Sequence, residues 1–280
     1  MRLLTLAGLW LASVGVAAQG NEGSVISPKE QPVSGYRFLT PETRALQDDA
    51  FANPGYLWVA AGAKAYQTSH GSGSCVSCHG ERGMVGVASR YPRFDEEAQT
   101  LLNLEGRINA CRTKHQELSA LAYESEELLA LSSYVAEQSR GLRTQVNVSA
   151  EAAPWLEAGE AYFFQRRGQL NLACHQCHDQ SWGKMLRGDR LSQGQPNAFP
   201  AYRLEWQSLG SLHRRLQNCE TGVRAEPQAL GSRAYLELEL YLVWRSQGLA
   251  LESPGVRRYP IKRYGTGLVR RIVGKGWSRI

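Results

Sequence analysis

"CVSCH" at residues 75–79 and "CHQCH" at residues 174–178 decide how this chain is read. Each is a Cys-x-x-Cys-His motif, the attachment signature of c-type haem. Its two cysteines form thioethers with the porphyrin edge, and the adjacent histidine reaches the iron from one side. Two covalently bound c-type haems are therefore expected, one on Cys75 and Cys78 with His79, the other on Cys174 and Cys177 with His178. A structural zinc would pair such a motif with further Cys or His ligands. A redox Cys-x-x-Cys would sit near a βαβ pattern, which is absent from this sequence.

Outward from the motifs, the chain repeats itself. "AGAKAY", "CVSCH", "LEGRINAC" and "SYVAEQSRG" are followed by "AGEAY", "CHQCH", "LHRRLQNC" and "LYLVWRSQG" in the same order. The plan is a small-residue helix, the haem motif, L-x-x-R-[I/L]-x-x-C, and an apolar helix ending in Ser-x-Gly. His79 and Cys111 are 32 residues apart, His178 and Cys219 41; the extra length falls in "RGDRLSQGQPNAFP", read as loop. "DEEAQTLLNLEGRINACRTK" places Leu101, Leu104, Ile108 and Cys111 at helical steps, so a helix is expected there. "ESEELLALSSYVAEQSRG" has early acids and ends at Gly141, as a helix does. "LELEL" alternates like a strand, but its place in the repeat makes it helix. The expected fold is mainly α, with two cytochrome c-like domains related by internal duplication and a boundary near residues 146–154.

Each iron needs a sixth ligand or an open position. Met84 and Met185 lie only five and seven residues past their proximal histidines, too close to wrap to the far face. His70, His115 and His213 are further candidates. Cys111 and Cys219 occupy equivalent repeat positions, so one thiolate per haem explains both, and thiolate ligation would lower the iron's potential. The alternative is a disulfide between the two, common in exported proteins. Arg107 and Arg215 each precede a cysteine by four residues and share its helix face. There an arginine stabilises a thiolate, and its planar fork can hold an oxyanion or a haem propionate.

The ends of the chain differ from its body. "MRLLTLAGLWLASVGVAAQG" reads as a secretory signal peptide cleaved near Ala18, placing the protein in the periplasm. No other run is apolar enough for a transmembrane anchor. Residues 256–280 hold eight Lys or Arg and no acid; without them and Arg2, 23 basic residues face 26 acidic ones. The excess positive charge thus belongs to the tail, and a chain-wide nucleic-acid footprint is absent. The expected organisation is a signal peptide at 1–18, an N-terminal extension at 19–50, haem domains at 51–150 and 151–255, and a basic tail at 256–280.

With "SGYRFLTPETRALQDDAFANPGYLWV", "CVSCHG", "NACRTK", "LAYESEELLALSSYV", "NCETGVRAEP" and "LELELYLVWRSQGL", the chain resembles the SoxA family, dihaem subunits of the SoxAX cytochromes of sulfur oxidation. The resemblance spans roughly residues 34–258 and implies an L-cysteine S-thiosulfotransferase that couples thiosulfate oxidatively to a cysteine of the carrier SoxYZ, with a monohaem SoxX-like cytochrome as partner. It implies Cys219 as axial ligand of the second haem and as a persulfide at the active site, with Arg215 binding thiosulfate. The first haem, ligated by His79 and Cys111, would be remote from the chemistry. Two other readings compete: a thiosulfate dehydrogenase forming tetrathionate, in which the Cys-ligated haem typically lies in the N-terminal half, and a dihaem cytochrome that only transfers electrons.

Overall fold

The computed structural model describes residues 31–70, 72–186 and 189–257. The signal peptide at 1–18 and the basic tail from 258 lie outside the described residues. The described chain is mainly helical and runs twice through one order of elements. After a short helix α1 (Pro41–Asp48), the first pass is α2 (Tyr56–Gln67), the motif helix α3 (Cys75–His79), strands β1 (Arg93–Asp95) and β2 (Thr100–Leu102), then α4 (Leu104–His115) and α5 (Glu126–Glu137). The second pass is α6 (Ala153–Phe164), the motif helix α7 (Cys174–His178), a small hairpin β3 (Met185–Leu186) and β4 (Asp189–Arg190), strands β5 (Ala201–Arg203) and β6 (Ser208–Gly210), then α8 (Leu212–Gly222) and α9 (Arg233–Arg245). Strand β7 (Gly255–Arg257) closes the chain by pairing parallel to β5. Val256 and Arg257, the first residues of the expected tail, therefore belong to the fold.

The small residues of "AGAKAY" and "AGEAY" let two helices cross at backbone distance in each half. A Cβ on Gly62 would collide with the carbonyl of Ala130 on α5; one on Gly159 would collide with the carbonyl of Glu237 on α9. One turn along, Tyr66 meets Tyr134 with ring centroids 5.1 Å apart, and Phe163 meets Tyr241 at 5.4 Å. "LELEL" is helical, as its place in the repeat required.

One expectation is corrected. The helix read through "DEEAQTLLNLEGRINACRTK" starts only at Leu104, because Asn103 caps it by accepting a hydrogen bond from the Gly106 amide at 2.9 Å. The residues before the cap form the β1–β2 hairpin, with Gln99 at φ 51 in its turn. Gln207, also at φ 51, and the cap Ser211 repeat the arrangement before α8. Helix α5 ends at Glu137, short of Gly141, whose φ of 81 belongs to the following turn.

These hairpins join the halves reciprocally. Leu101 of β2 enters the core formed by α6, α8 and α9, while Tyr202 and Leu209 of β5 and β6 pack with Leu129 and Trp58 of the first half. Between the halves lies a buried polar cluster. His213 Nδ1 accepts from the Gly231 amide at 3.0 Å, so its Nε2 carries the proton facing Glu239 at 2.9 Å. Tyr123 stacks on the same imidazole at 5.6 Å, and Asn103 donates to Glu239 at 3.1 Å. Burial, then the charge of Glu239, push the Glu105 carboxyl up to about 7.

Two predictions follow from this packing. Gly62→Ala and Gly159→Ala should each destabilise the protein by about 1–3 kcal/mol through overpacking, read by thermal unfolding. Gly222→Ala, whose Cβ would meet nothing, should stay within about 0.5 kcal/mol. A carboxyl held protonated by the fold stabilises below its unfolded pKa and loses that contribution as pH rises through the folded value. Relative to Glu105→Gln, the wild-type protein should therefore lose stability between its ordinary 4.5 and about 7, by on the order of 1–3 kcal/mol at 1.36 kcal/mol per pKa unit.

Candidate functional site

Each motif helix begins where the sequence supplies a cap. Ser74 and Ser77 close a reciprocal capping box over α3, and Gln176 Oε1 accepts from the Ala173 amide at the start of α7. None of the six cysteines is in a disulfide, and each lone cysteine lies with its own motif: Cys111 acts electrostatically on Cys75, and Cys219 on Cys174 and Cys177. Cys111 and Cys219 are thus not a disulfide pair in this structure. Among the described residues there is no cluster of three His, Cys, Asp or Glu side chains able to hold a metal ion by themselves.

The second motif fits a haem. His178 Nδ1 lies 2.8 Å from the Ser192 carbonyl, which accepts its proton and leaves Nε2 free as a metal ligand. Gly194, at φ 73, brings its backbone against the imidazole, where a Cβ would stand 3.0 Å from the ring. His178 acts on the Cys219 thiol, so the two expected axial groups are neighbours. His213 is committed to the cluster between the halves, Met84 is buried in the core of the first half, and His70, His115 and Met185 are exposed.

The two lone cysteines differ in their electrostatics. Burial raises the Cys111 thiol, and the charge of Arg107 does not outweigh it. Burial also acts to raise the Cys219 thiol, but Arg215, the hydrogen bond and charge of His178, and Arg203 bring it from 9.0 down to about 7. The arginines explain the contrast. Arg107 is ion-paired with Asp95 and its Nε donates to the Tyr91 hydroxyl at 3.2 Å. Arg215 has no ion pair or side-chain hydrogen bond among the described residues, and is half-buried. Behind Cys219, Glu220 anchors α8, accepting from the hydroxyls of Tyr162 and Tyr235 and pairing with Arg167 at 3.3 Å.

Sequence reasoning singled out Arg215 and Cys219 but missed Arg203, Asp95 and Glu220. Aligning the two repeat copies across the hairpin would have found the first two. Asp95 pairs with Thr100, and Arg203 with Ser208, at the same register position of β1–β2 and β5–β6.

Paired helices crossing at glycine over a Cys-x-x-Cys-His helix define a c-type cytochrome, and the family model described as the SoxA/TsdA cytochrome c domain matches residues 61–144. Such a domain carries covalently bound haem. The chain is 39% identical over 236 residues to the L-cysteine S-thiosulfotransferase subunit SoxA of Pseudaminobacter salicylatoxidans, covering 82% of each chain. It is 34% identical over 276 residues to the subunit of the same name from Paracoccus pantotrophus, covering 90% of this chain and 95% of that one. The crystal structure of SoxXA from P. pantotrophus matches with a TM-score of 0.77 at 35% identity, over 81% of this chain and 87% of that one. The chain belongs to the SoxA family.

The contact between Gly194 and His178 yields a prediction. Gly194→Ala places a Cβ against the imidazole at a left-handed φ, a conformation costing about 1–2 kcal/mol for a residue with a side chain. The absorption and electron paramagnetic resonance signature of haem held at the Cys174–Cys177 motif should change.

Proposed function

We propose that this chain is the dihaem subunit of a thiosulfotransferase that joins thiosulfate to a cysteine of a SoxYZ-like carrier, with a SoxX-like monohaem cytochrome as partner. In this reading the domains are 51–150 and 151–255, and the protein acts in the periplasm after loss of residues 1–18. The observation that carries it is the Cys219 environment, in which His178 and an arginine with no ion pair among the described residues both act on the sulfur. The names of the relatives and of the matching complex support the activity and the partner.

Cys75 and Cys78 would hold the first haem through thioethers, with His79 and Cys111 as axial ligands. Cys174 and Cys177 would hold the second, with His178 and Cys219. When bound, the haems supply the route by which electrons leave. Ser192 keeps the His178 proton on Nδ1. Arg215 binds the sulfonate end of thiosulfate through its fork and orients the sulfane sulfur toward Cys219. Cys219, carrying a second sulfur as a persulfide, is the sulfur at which substrate is held. Overall one S–S bond forms between the carrier thiolate and the sulfane sulfur of thiosulfate, and two electrons pass to the partner cytochrome. No helix of the described residues is long and apolar enough to cross a membrane.

The test combines composition and kinetics. The purified protein should carry two haems that resist acid-acetone extraction, and the peptide containing Cys219 should be heavier by one sulfur. Cys219→Ala should change the second haem's spectrum and abolish coupling. Arg215→Ala should keep both haems and cut kcat/KM by about ten- to a hundredfold, the scale of a hydrogen bond to a charged group. Lys at position 215 should restore only part. Loss of activity in Cys111→Ala with retention in Cys219→Ala would instead put the tetrathionate-forming reading first.

A further inference from the structure

The two halves share a scaffold, yet one position on it carries opposite charge. Asp95 closes β1 and Arg203 closes β5 at the same hairpin register. In the first half Asp95 captures Arg107. In the second half no carboxylate stands there, and Arg215 is left without a partner among the described residues. Arg203 is buried, its Nε donates to Glu205 at 2.6 Å, and its guanidinium lies over Trp206 at 5.0 Å. The residue matching Glu205 in the first half, Glu97, points away to Lys114 at 2.7 Å. The Asp95–Arg107 pair therefore sums to zero, while Arg203, Glu205 and Arg215 sum to one positive charge beside the cysteine.

We propose that Arg203 is the positioning residue that opens the second site to a dianion, by standing where the first half places an acid and, held by its own ion pair with Glu205, leaving Arg215 without a carboxylate among the described residues. The inference rests on the proposed function and says why substrate is taken at Cys219 and refused at Cys111. It is supported by the mutual repulsion of the two guanidiniums: burial, then Arg215, bring Arg203 down to about 10. Thiosulfate carries two negative charges, and a group of net positive charge attracts a dianion where the neutral Asp95–Arg107 pair does not.

The experiment uses the haem-loaded protein with its partner cytochrome. Arg203→Asp should raise the KM for thiosulfate by about tenfold or more, through capture of Arg215, with kcat far less affected. Arg203→Lys should stay within a few-fold of wild type, because the charge rather than the fork is required. In the first half, Asp95→Asn and Asp95→Arg should make the first haem's absorption respond saturably to thiosulfate, with sulfate at matched ionic strength as control; wild type should show no response. Equal damage by Asp and Lys at 203 would mean a packing role and overturn the inference, as would an unchanged KM in Arg203→Asp. Where the Arg203 variants do not fold, the Asp95 titrations decide, and a silent first haem overturns it. Failure of the proposed function itself is distinguishable: Arg215→Ala and Cys219→Ala would then spare turnover.

Discussion

Everything in this molecule hangs on two places where helix backbones touch. At Gly62 and Gly159 the approach leaves no room for a methyl group, and the neighbour is a backbone carbonyl that cannot swing aside. A backbone contact of that kind fixes the distance and rotation of the two helices more tightly than interdigitated side chains would. The motif helices α3 and α7 follow α2 and α6 by a short connection, so their orientation is inherited from the crossing. The position of each histidine is in this sense a consequence of a glycine a dozen or more residues before it.

The hairpins add the second level of order. Each half lends its strands to the other's core, so neither half completes its packing alone. The exchange brings the starts of α4 and α8 face to face, and it puts Glu105 opposite the cluster of His213 and Glu239. Burying two carboxylates near one imidazole is costly unless charge is balanced or a proton is retained. The close pairing of His213 with Glu239 and the raised Glu105 show both solutions in one place. Polar groups so specific in their pairing set the register between halves in a way that apolar packing alone does not.

Legibility in the sequence followed the range of the interaction. The motifs were readable because covalent attachment needs fixed spacing within five residues. The repeat was readable because the same glycine, arginine and cysteine recur in one order. The "LELEL" segment was assigned by position, against its alternation, and is helical. The hairpin before α4 was not readable as written, since Leu101 fits a helical step from Leu104 while Asn103, the cap that ends the strand connection, is only one polar residue in an apolar run. The partners of Arg107 and Arg215 were invisible for a different reason. An i,i+4 rule finds what shares a helix face, while Asp95 and Arg203 arrive from two strands, the first read as helix and the second not read as any element.

That missed strand carries the difference between the two halves. Both lone cysteines are half-buried, follow an arginine by four residues and sit by a Cys-x-x-Cys-His helix. Desolvation acts on both in the same direction, raising the thiol. An arginine already paired with a carboxylate presents almost no net charge to its neighbour, because the two opposite fields nearly cancel at a distance longer than their separation. An unpaired one presents its whole charge, and at Cys219 it acts together with His178 and Arg203 against burial. The halves thus differ at one strand position outside the helix that bears the cysteine, Asp95 in one and Arg203 in the other.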